Sequence, residues 1–138
     1  MHQVPGAWHE VGPDPYTVVA ADFDGDGWDD LVATNGHVDK RRDAAEQDRM
    51  RPQLFRNLQG NSFAEIPAHE LGTFFQHDYL GRGLATLDWN KDGRTDFGVS
   101  NLHAPFSLVT NRTPSSSVAI VVRLISTSGV RDGSGATI

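Results

Sequence analysis

Residues 22–30 read DFDGDGWDD, and residues 88–96 read DWNKDGRTD. Both stretches place aspartate at the first, fifth and ninth positions and glycine at the sixth. Asp-Gly pairs favour sharp reversals, because glycine adopts the positive φ that such turns need without a steric cost. Each stretch therefore predicts a tight acidic loop rather than part of a helix or a strand.

The two loops belong to an internal repeat. A shift of 66 residues places residues 18–37 over residues 84–103 without a gap. The identical pairs under this shift are Asp22/Asp88, Asp26/Asp92, Gly27/Gly93, Asp30/Asp96, Asn35/Asn101 and His37/His103. Apolar residues flank both loops at matching positions, so each copy is predicted to run strand, loop, strand.

Further strand-like segments continue each copy. We predict strands at residues 16–21, 31–34, 53–57 and 62–66 in the first copy, and at residues 83–87, 97–100 and 107–111 in the second. A unit of four short antiparallel strands is typical of a propeller blade. The predicted fold is all-β, with two propeller-like four-stranded antiparallel blades (a partial β-propeller) and the start of a further β unit at residues 118–125.

The spacing of oxygen-bearing side chains in the loops indicates calcium. Ca²⁺ takes about six to eight oxygen ligands, and a flexible, carboxylate-rich cage suits it better than Mg²⁺. Side chains at positions one, three, five and nine would contribute oxygens, and position seven its backbone carbonyl. The predicted metal ligands are Asp22, Asp24, Asp26, Trp28 and Asp30 in the first loop and Asp88, Asn90, Asp92, Arg94 and Asp96 in the second.

Two calcium sites are therefore expected. The 22–30 loop should bind more tightly than the 88–96 loop, because Asn90 stands where the first loop has an acid. The alternative is that both loops are Asp-Gly turns without metal. Two copies with the same ligand spacing, at the same place in a repeat, favour metal binding.

Charge and composition argue against several other classes of protein. The formal charge of −6, with no basic patch, disfavours binding to a nucleic-acid backbone. No run of about 18 apolar residues is present, so no transmembrane segment is expected. The chain has no cysteine for a disulfide or a thiolate metal site, and residues 1–5 do not resemble a signal peptide. Neither Gly-x-Ser-x-Gly nor His-Glu-x-x-His occurs, so we expect no enzymatic activity.

At its two loops the chain resembles the FG-GAP, or VCBS-type, repeats of calcium-binding β-propellers. The stretch LFRN at residues 54–57, followed by GNSF at 60–63, is similar to a stretch that recurs in that family. Residues 118–124, followed by SGVRDGSGA, are similar to the start of an ASPIC/UnbV domain. The resemblance implies two repeats within residues 1–113, at about 14–66 and 80–113, and a truncated ASPIC/UnbV-like β domain at 114–138.

The resemblance implies a secreted, periplasmic or cell-surface module that is stabilised by calcium. Its partner would be an unknown protein or a glycan, and the first hypothesis is a non-catalytic, adhesion-like interaction. One alternative is a lectin-like module that stacks a carbohydrate on Trp28 or on the Phe74-Phe75 pair, with Trp89 in the core like its counterpart Phe23. Another is an accessory domain of a larger secreted enzyme. Two blades leave open sheet edges, through which homo-oligomers are possible.

Overall fold

The computed structural model describes residues 15–36 and 48–114. These ranges contain seven β-strands and two short 3₁₀ helices. The strands are β1 (Pro15–Ala21), β2 (Asp30–Asn35), β3 (Gln53–Asn57), β4 (Phe63–Glu65), β5 (Gly81–Leu87), β6 (Asp96–Asn101) and β7 (Ser107–Val109). The 3₁₀ helices, Ala68–Glu70 and Thr73–Gln76, lie between β4 and β5.

The strands form two antiparallel sheets. The first blade has the order β1-β2-β3-β4, and the second blade has the order β5-β6-β7. The predicted all-β fold is confirmed, and each strand predicted within the described ranges lies within two residues of an observed one. The second blade has three strands in those ranges rather than the predicted four. The β unit predicted at 118–125 lies outside them, as does the tail domain beyond Pro114.

The hydrophobic core lies between the two sheets. It consists of Phe23, Val32, Phe75, Phe97 and Val99, each of which is 7% exposed or less. The Phe97 ring is at its centre, with edge-on contacts to Phe23 (5.8 Å between centroids) and to Phe75 (6.0 Å). Full burial of a Phe or Val side chain contributes roughly 1.5–3 kcal/mol, so this shared core joins the two blades.

The two blades meet through opposite faces of the repeat. In the first blade, Val19 pairs with Val32 on the face that packs into the core. In the second, Leu84 pairs with Val99 on the core face. Under the 66-residue shift of the repeat, the counterpart of Val19 is Ala85. Side chains alternate along a strand, so Ala85 and Leu84 lie on opposite faces of β5, and the second blade uses the face opposite to the one that the first blade uses. The blades thus stack in the same sense, as the blades of a propeller do.

The segment between the blades closes one side of the core. The second 3₁₀ helix directs Phe75 inward, where it is 5% exposed, and Phe74 stacks on Tyr79 with 4.9 Å between ring centroids. The prediction that Phe74 and Phe75 form a patch for carbohydrate stacking is therefore wrong for Phe75, because the core between the blades takes up its side chain. Neither 3₁₀ helix is long or apolar enough to cross a membrane, and no other helix occurs in the described ranges.

Candidate metal centre

The first acidic loop is organised around Asp22, the residue that follows β1. Its Oδ1 accepts hydrogen bonds from the backbone N–H groups of Gly25 (2.7 Å) and Asp26 (3.1 Å), and its Oδ2 accepts one from Gly27 (2.9 Å). Gly27 has a φ of 91°, in the region that side-chain-bearing residues avoid. The carboxylate of Asp22 therefore fixes the path of the turn.

The second loop repeats this arrangement around Asp88. Oδ1 of Asp88 accepts from the N–H of Asp92 (3.1 Å), and Oδ2 accepts from the N–H of Gly93 (3.0 Å). Gly93 has a φ of 82°, which matches that of its counterpart Gly27. Lys91 also has a positive φ, of 58°, where the first loop has Gly25. A left-handed conformation costs a non-glycine residue roughly 1–2 kcal/mol, so the second loop folds at a greater conformational cost.

The ninth position of each loop ties the loop to the rest of its blade. Asp30 is 2% exposed and accepts from the backbone N–H groups of Phe23 (3.1 Å) and Asn57 (2.8 Å). Its counterpart Asp96 is 0% exposed and accepts from Trp89 (3.2 Å) and Asn111 (2.7 Å) in the same way. The Asp30 carboxylate therefore joins its loop to the end of β3, and the Asp96 carboxylate joins its loop to Asn111, two residues beyond β7. The sequence analysis did not anticipate this role.

Three of the predicted ligands in the first loop come together. One carboxylate oxygen from each of Asp22, Asp24 and Asp30 can be chosen so that all three lie within 4.8 Å of one another. Ca²⁺–oxygen distances are about 2.3–2.6 Å, so opposite ligands of one ion are about 4.6–5.2 Å apart. The spacing and the hard oxygen donors both fit a calcium ion. Asp26 lies outside this group, although it belongs to the same loop.

The electrostatics of the first loop are those of crowded acids. Burial raises the pKa of Asp30, against the lowering effect of the N–H groups of Asn57 and Phe23. Repulsion from Asp24 and Asp26 raises this pKa further. A cation at the loop would counteract the rise in this pKa that burial and repulsion cause, since it stabilises the ionised carboxylates.

Arg56 is a member of the first loop's charge network that the sequence analysis missed. Its guanidinium Nη2 is 2.6 Å from Oδ2 of Asp24 and 3.8 Å from Oδ2 of Asp26. Arg56 is 26 residues from the end of the loop, and it reaches the loop because β3 pairs with β2. Its positive charge offsets part of the repulsion among the acids, and it shares Asp24 with the candidate metal group.

The second loop contains its own counter-charge. Nη2 of Arg94 is 2.5 Å from Oδ2 of Asp92, and Nδ2 of Asn90 donates to the same oxygen at 2.8 Å. The backbone N–H of Arg94, and then the Arg94 side chain and Asn90, lower the pKa of Asp92. Within the described ranges, His, Cys, Asp and Glu side chains meet in a group of three only in the first loop. The second loop differs because an amide, Asn90, stands at the position of Asp24.

One family of known proteins has a model that covers the first loop. Residues 15–47 match the FG-GAP repeat. No curated protein and no solved structure matches the chain. The matched FG-GAP segment contains β1, the first loop and β2, and its last residues, 37–47, lie outside the described ranges.

Each of the two loops contains a tryptophan. Trp28, at position seven, donates its backbone N–H to Oδ1 of Asp26 (3.0 Å), and the residue is 44% exposed, as expected. Trp89 is 51% exposed, and its Nε1 donates to Oγ1 of Thr110 (3.0 Å). The expectation that Trp89 packs in the core is wrong, because its counterpart Phe23 is covered by the second blade, whereas no described element covers Trp89.

Proposed function

We propose that this chain is a calcium-binding, non-catalytic β-repeat module that interacts with another protein. The FG-GAP match and the two stacked sheets support the coarse part of this proposal, a β-propeller-type repeat. Calcium binding, the absence of catalysis and the interaction are our inferences. The two proposed ions lie in the 22–30 and 88–96 loops, with the first bound more tightly.

The observation that carries the proposal is the duplicated loop. Two segments 66 residues apart fold with the same hydrogen bonds to their first and ninth aspartates. In the first of them, Asp22, Asp24 and Asp30 approach closely enough to share one ion. An isolated Asp-Gly turn does not require an aspartate at the ninth position whose carboxylate accepts a hydrogen bond from the loop backbone. The donor set consists of carboxylate, amide and carbonyl oxygens, the ligands that calcium prefers.

Calcium titration of chelator-treated protein by isothermal calorimetry tests the proposal. Asp24→Asn gives the first loop the amide of the second, and Asn90→Asp gives the second loop the acid of the first. Each exchange keeps the oxygen that accepts a backbone N–H, from Asp26 at 3.2 Å or from Asp92 at 3.1 Å. We expect Asp24→Asn to weaken the first site, and Asn90→Asp to strengthen the second, by about tenfold, or about 1.4 kcal/mol.

Asp29→Asn is the matched control, because Asp29 is an exposed acid of the same loop that is not a predicted ligand. It should leave both affinities unchanged. No heat of calcium binding in the unmodified protein would refute the proposal. An effect of Asp29→Asn equal to that of Asp24→Asn would mean that the loop attracts cations only through its overall charge.

Location and role follow from the same proposal. A calcium-stabilised module suits compartments rich in calcium, so we propose a secreted, periplasmic or cell-surface protein with an adhesion-like role. The finer VCBS and ASPIC/UnbV resemblances, the latter in the tail, are consistent with that setting and stay predictions. Cell fractionation of the source organism with an antibody against this chain would test the location.

Carbohydrate binding is the second candidate function. Trp28 favours it, because its ring is half-exposed beside the acidic loop and lies against Gly60. Aromatic rings of this kind offer an apolar face to a sugar ring. A glycan array probed with the unmodified chain and with Trp28→Ala would separate the candidates. Signals that vanish in the variant would support a lectin, and an array without signals would exclude one for the glycans displayed.

A further inference from the structure

The first acidic loop receives a positive charge from a strand outside the loop. Arg56 is the fourth residue of β3, and its guanidinium Nη2 lies 2.6 Å from Oδ2 of Asp24 and 3.8 Å from Oδ2 of Asp26. The other oxygen of Asp24, Oδ1, accepts the backbone N–H of Asp26 at 3.2 Å. Both oxygens of Asp24 are therefore already engaged by groups of the protein.

The residues on either side of Arg56 fix its backbone next to the loop. Phe55 precedes it and is 2% exposed. Asn57 follows it, and the backbone N–H of Asn57 donates to Asp30 at 2.8 Å, while its Nδ2 donates to the carbonyl of Asp29 at 2.9 Å. The guanidinium thus reaches the two acids from an anchored part of the strand.

A calcium ion and this guanidinium would compete for the same carboxylate. Asp24 is one of the three acids whose oxygens come within 4.8 Å of one another. An ion on Oδ2 of Asp24 would lie within about 5 Å of the guanidinium nitrogen that is 2.6 Å from that oxygen. An ion on Oδ1 would displace the N–H of Asp26 and still face the guanidinium across one carboxylate. Because like charges at these distances repel, binding of the ion favours departure of the guanidinium.

The contact with Asp26 indicates the same competition. Asp26 is at the fifth position, which the ligand spacing assigns to the ion, yet its carboxylate is not in the group of three. Its Oδ2 faces Arg56, and its Oδ1 accepts the backbone N–H of Trp28 at 3.0 Å. Departure of the guanidinium would leave Oδ2 of Asp26 free to turn towards the ion.

The second loop also has an arginine on its fifth-position acid, but from a different place in the chain. Nη2 of Arg94, at position seven of the loop, is 2.5 Å from Oδ2 of Asp92. Thr110 stands at the place of Arg56 when the ends of the third strands are aligned. The two arginines are therefore not counterparts in the repeat, and only the first loop receives its positive charge from a neighbouring strand.

We propose that Arg56 is an internal competitor of calcium at the first loop, and that it thereby sets the calcium concentration at which this loop fills. Without calcium, the guanidinium neutralises Asp24 and Asp26. When calcium binds, the guanidinium turns away from Asp24 into the cavity of about 630 Å³ between the blades, which Arg56 also lines. This inference rests on the proposed calcium site and states how that site is regulated.

Calcium titration of chelator-treated protein by isothermal calorimetry is the first test. Arg56→Gln removes the charge and keeps a long polar side chain, so the Kd of the first, tighter phase should fall by about tenfold at low salt. The gain in affinity should shrink as potassium chloride is added, because salt screens the repulsion. Arg56→Lys keeps the charge and should bind calcium nearly as the unmodified chain does.

Arg51→Gln is the matched control, since it removes an equal charge from the same blade. Arg51 precedes β3, at the end of the strand away from the first loop, and pairs with Asp78 at 3.6 Å. Its replacement should leave the Kd of the first phase unchanged.

Urea unfolding distinguishes a competitor from a residue that merely supports the loop. Because the proposed pair forms only without calcium, Arg56→Gln should lower the urea midpoint in chelator but not in saturating calcium. A supporting residue would lower the midpoint in both conditions. In an Asp24→Asn background, Arg56→Gln should have a much smaller effect in chelator, because the main partner of the guanidinium has lost its charge.

Three results would overturn the inference and leave the calcium proposal intact. They are calcium binding by Arg56→Gln that is no tighter than that of the unmodified chain, an equal gain of affinity in Arg51→Gln, and a urea midpoint of Arg56→Gln that falls equally in calcium and in chelator. Absence of calcium binding by both the unmodified chain and Arg56→Gln would instead refute the calcium proposal itself.

Discussion

The aspartates of the two loops differ in what their oxygens contact. Asp30 and Asp96 are buried, and both oxygens of each accept a backbone N–H. Asp24 and Asp92 have side chains that reach solvent, at 18% and 25% exposed, and each pairs with an arginine. The ninth aspartates should therefore stabilise the fold whether or not a cation is present, whereas Asp24 and Asp92 each accept one backbone N–H within their own loop and should contribute less.

Asp96→Ala should destabilise the chelator-treated protein. It leaves the N–H groups of Trp89 and Asn111 without their acceptor, and each unsatisfied group costs about 1–3 kcal/mol when buried. Because these groups can gain some access to water, we expect a loss of about 2–4 kcal/mol in the free energy of unfolding. Urea unfolding followed by circular dichroism measures it.

Asp92→Ala is the control for that change, since it removes an exposed acid from the same loop. We expect it to lower the free energy of unfolding in chelator much less than Asp96→Ala does, because exposed ion pairs contribute little to stability. Equal losses in the two variants would show that the ninth aspartate has no special structural role.

Individual residues show where prediction from sequence succeeds. The positions of the loop aspartates are set by local spacing, so Asp22, Asp24 and Asp30 could be named in advance, and the structure brings those three together. Arg56 could not be named, because its contact with Asp24 depends on the pairing of β3 with β2. Trp89 was misplaced for a similar reason: its exposure depends on which face of which blade is covered.

Among the elements, the turn between β3 and β4 packs against the first loop and is hydrogen-bonded to it. Oδ1 of Asn57 accepts from the N–H of Gly60 (2.8 Å), and Nδ2 of Asn57 donates to the carbonyl of Asp29 (2.9 Å). Gly60 has a φ of 75°, and a Cβ built on it would lie 2.6 Å from Cζ3 of Trp28. The absence of a side chain at Gly60 therefore permits both the turn and the position of the Trp28 ring.

Gly60→Ala should cost about 1–3 kcal/mol of stability, because it combines backbone strain at positive φ with a collision against Trp28. A double-mutant cycle separates the two causes. In a Trp28→Ala background, the same glycine change should cost only the backbone strain. Urea midpoints of the four proteins, measured in chelator, provide the cycle. Equal costs in the two backgrounds would exclude the contact between the ring and the turn.

The elements themselves were largely predictable, since short alternating segments bounded by Asp, Gly and Asn determine the strands. The segment between the blades was not. Residues 67–79 show no strand-like alternation, and Phe74 and Phe75 were considered only for carbohydrate stacking, yet Phe75 enters the core beside Phe97. Its burial depends on the space between the two sheets, and local pattern contains no information about that space.

At the scale of the whole molecule, two similar blades pack asymmetrically. The first blade is covered on the face that contains Val32, and the second is covered on the face that contains Val99. The sequence repeat predicts two similar units but not which face each unit uses, because both faces contain apolar residues. The stacking sense leaves Leu87 and Leu108 exposed on the other face of the second blade.

Calcium should stabilise the whole described structure, because Asp30 ties the first loop to the end of β3 and Asp96 ties the second loop to Asn111, just beyond β7. A ligand that binds only the folded state adds about 2.7 kcal/mol when its concentration is about 100 times its Kd. With about 1 mM calcium and a first-site Kd of about 10 μM, the melting temperature should rise by on the order of 10 °C relative to chelator. Scanning calorimetry at a fixed protein concentration measures the shift. Asp24→Asn should reduce the rise in Tm, and the same concentration of magnesium should produce a much smaller rise. An unchanged Tm in calcium would mean that the duplicated loops fold as turns without metal.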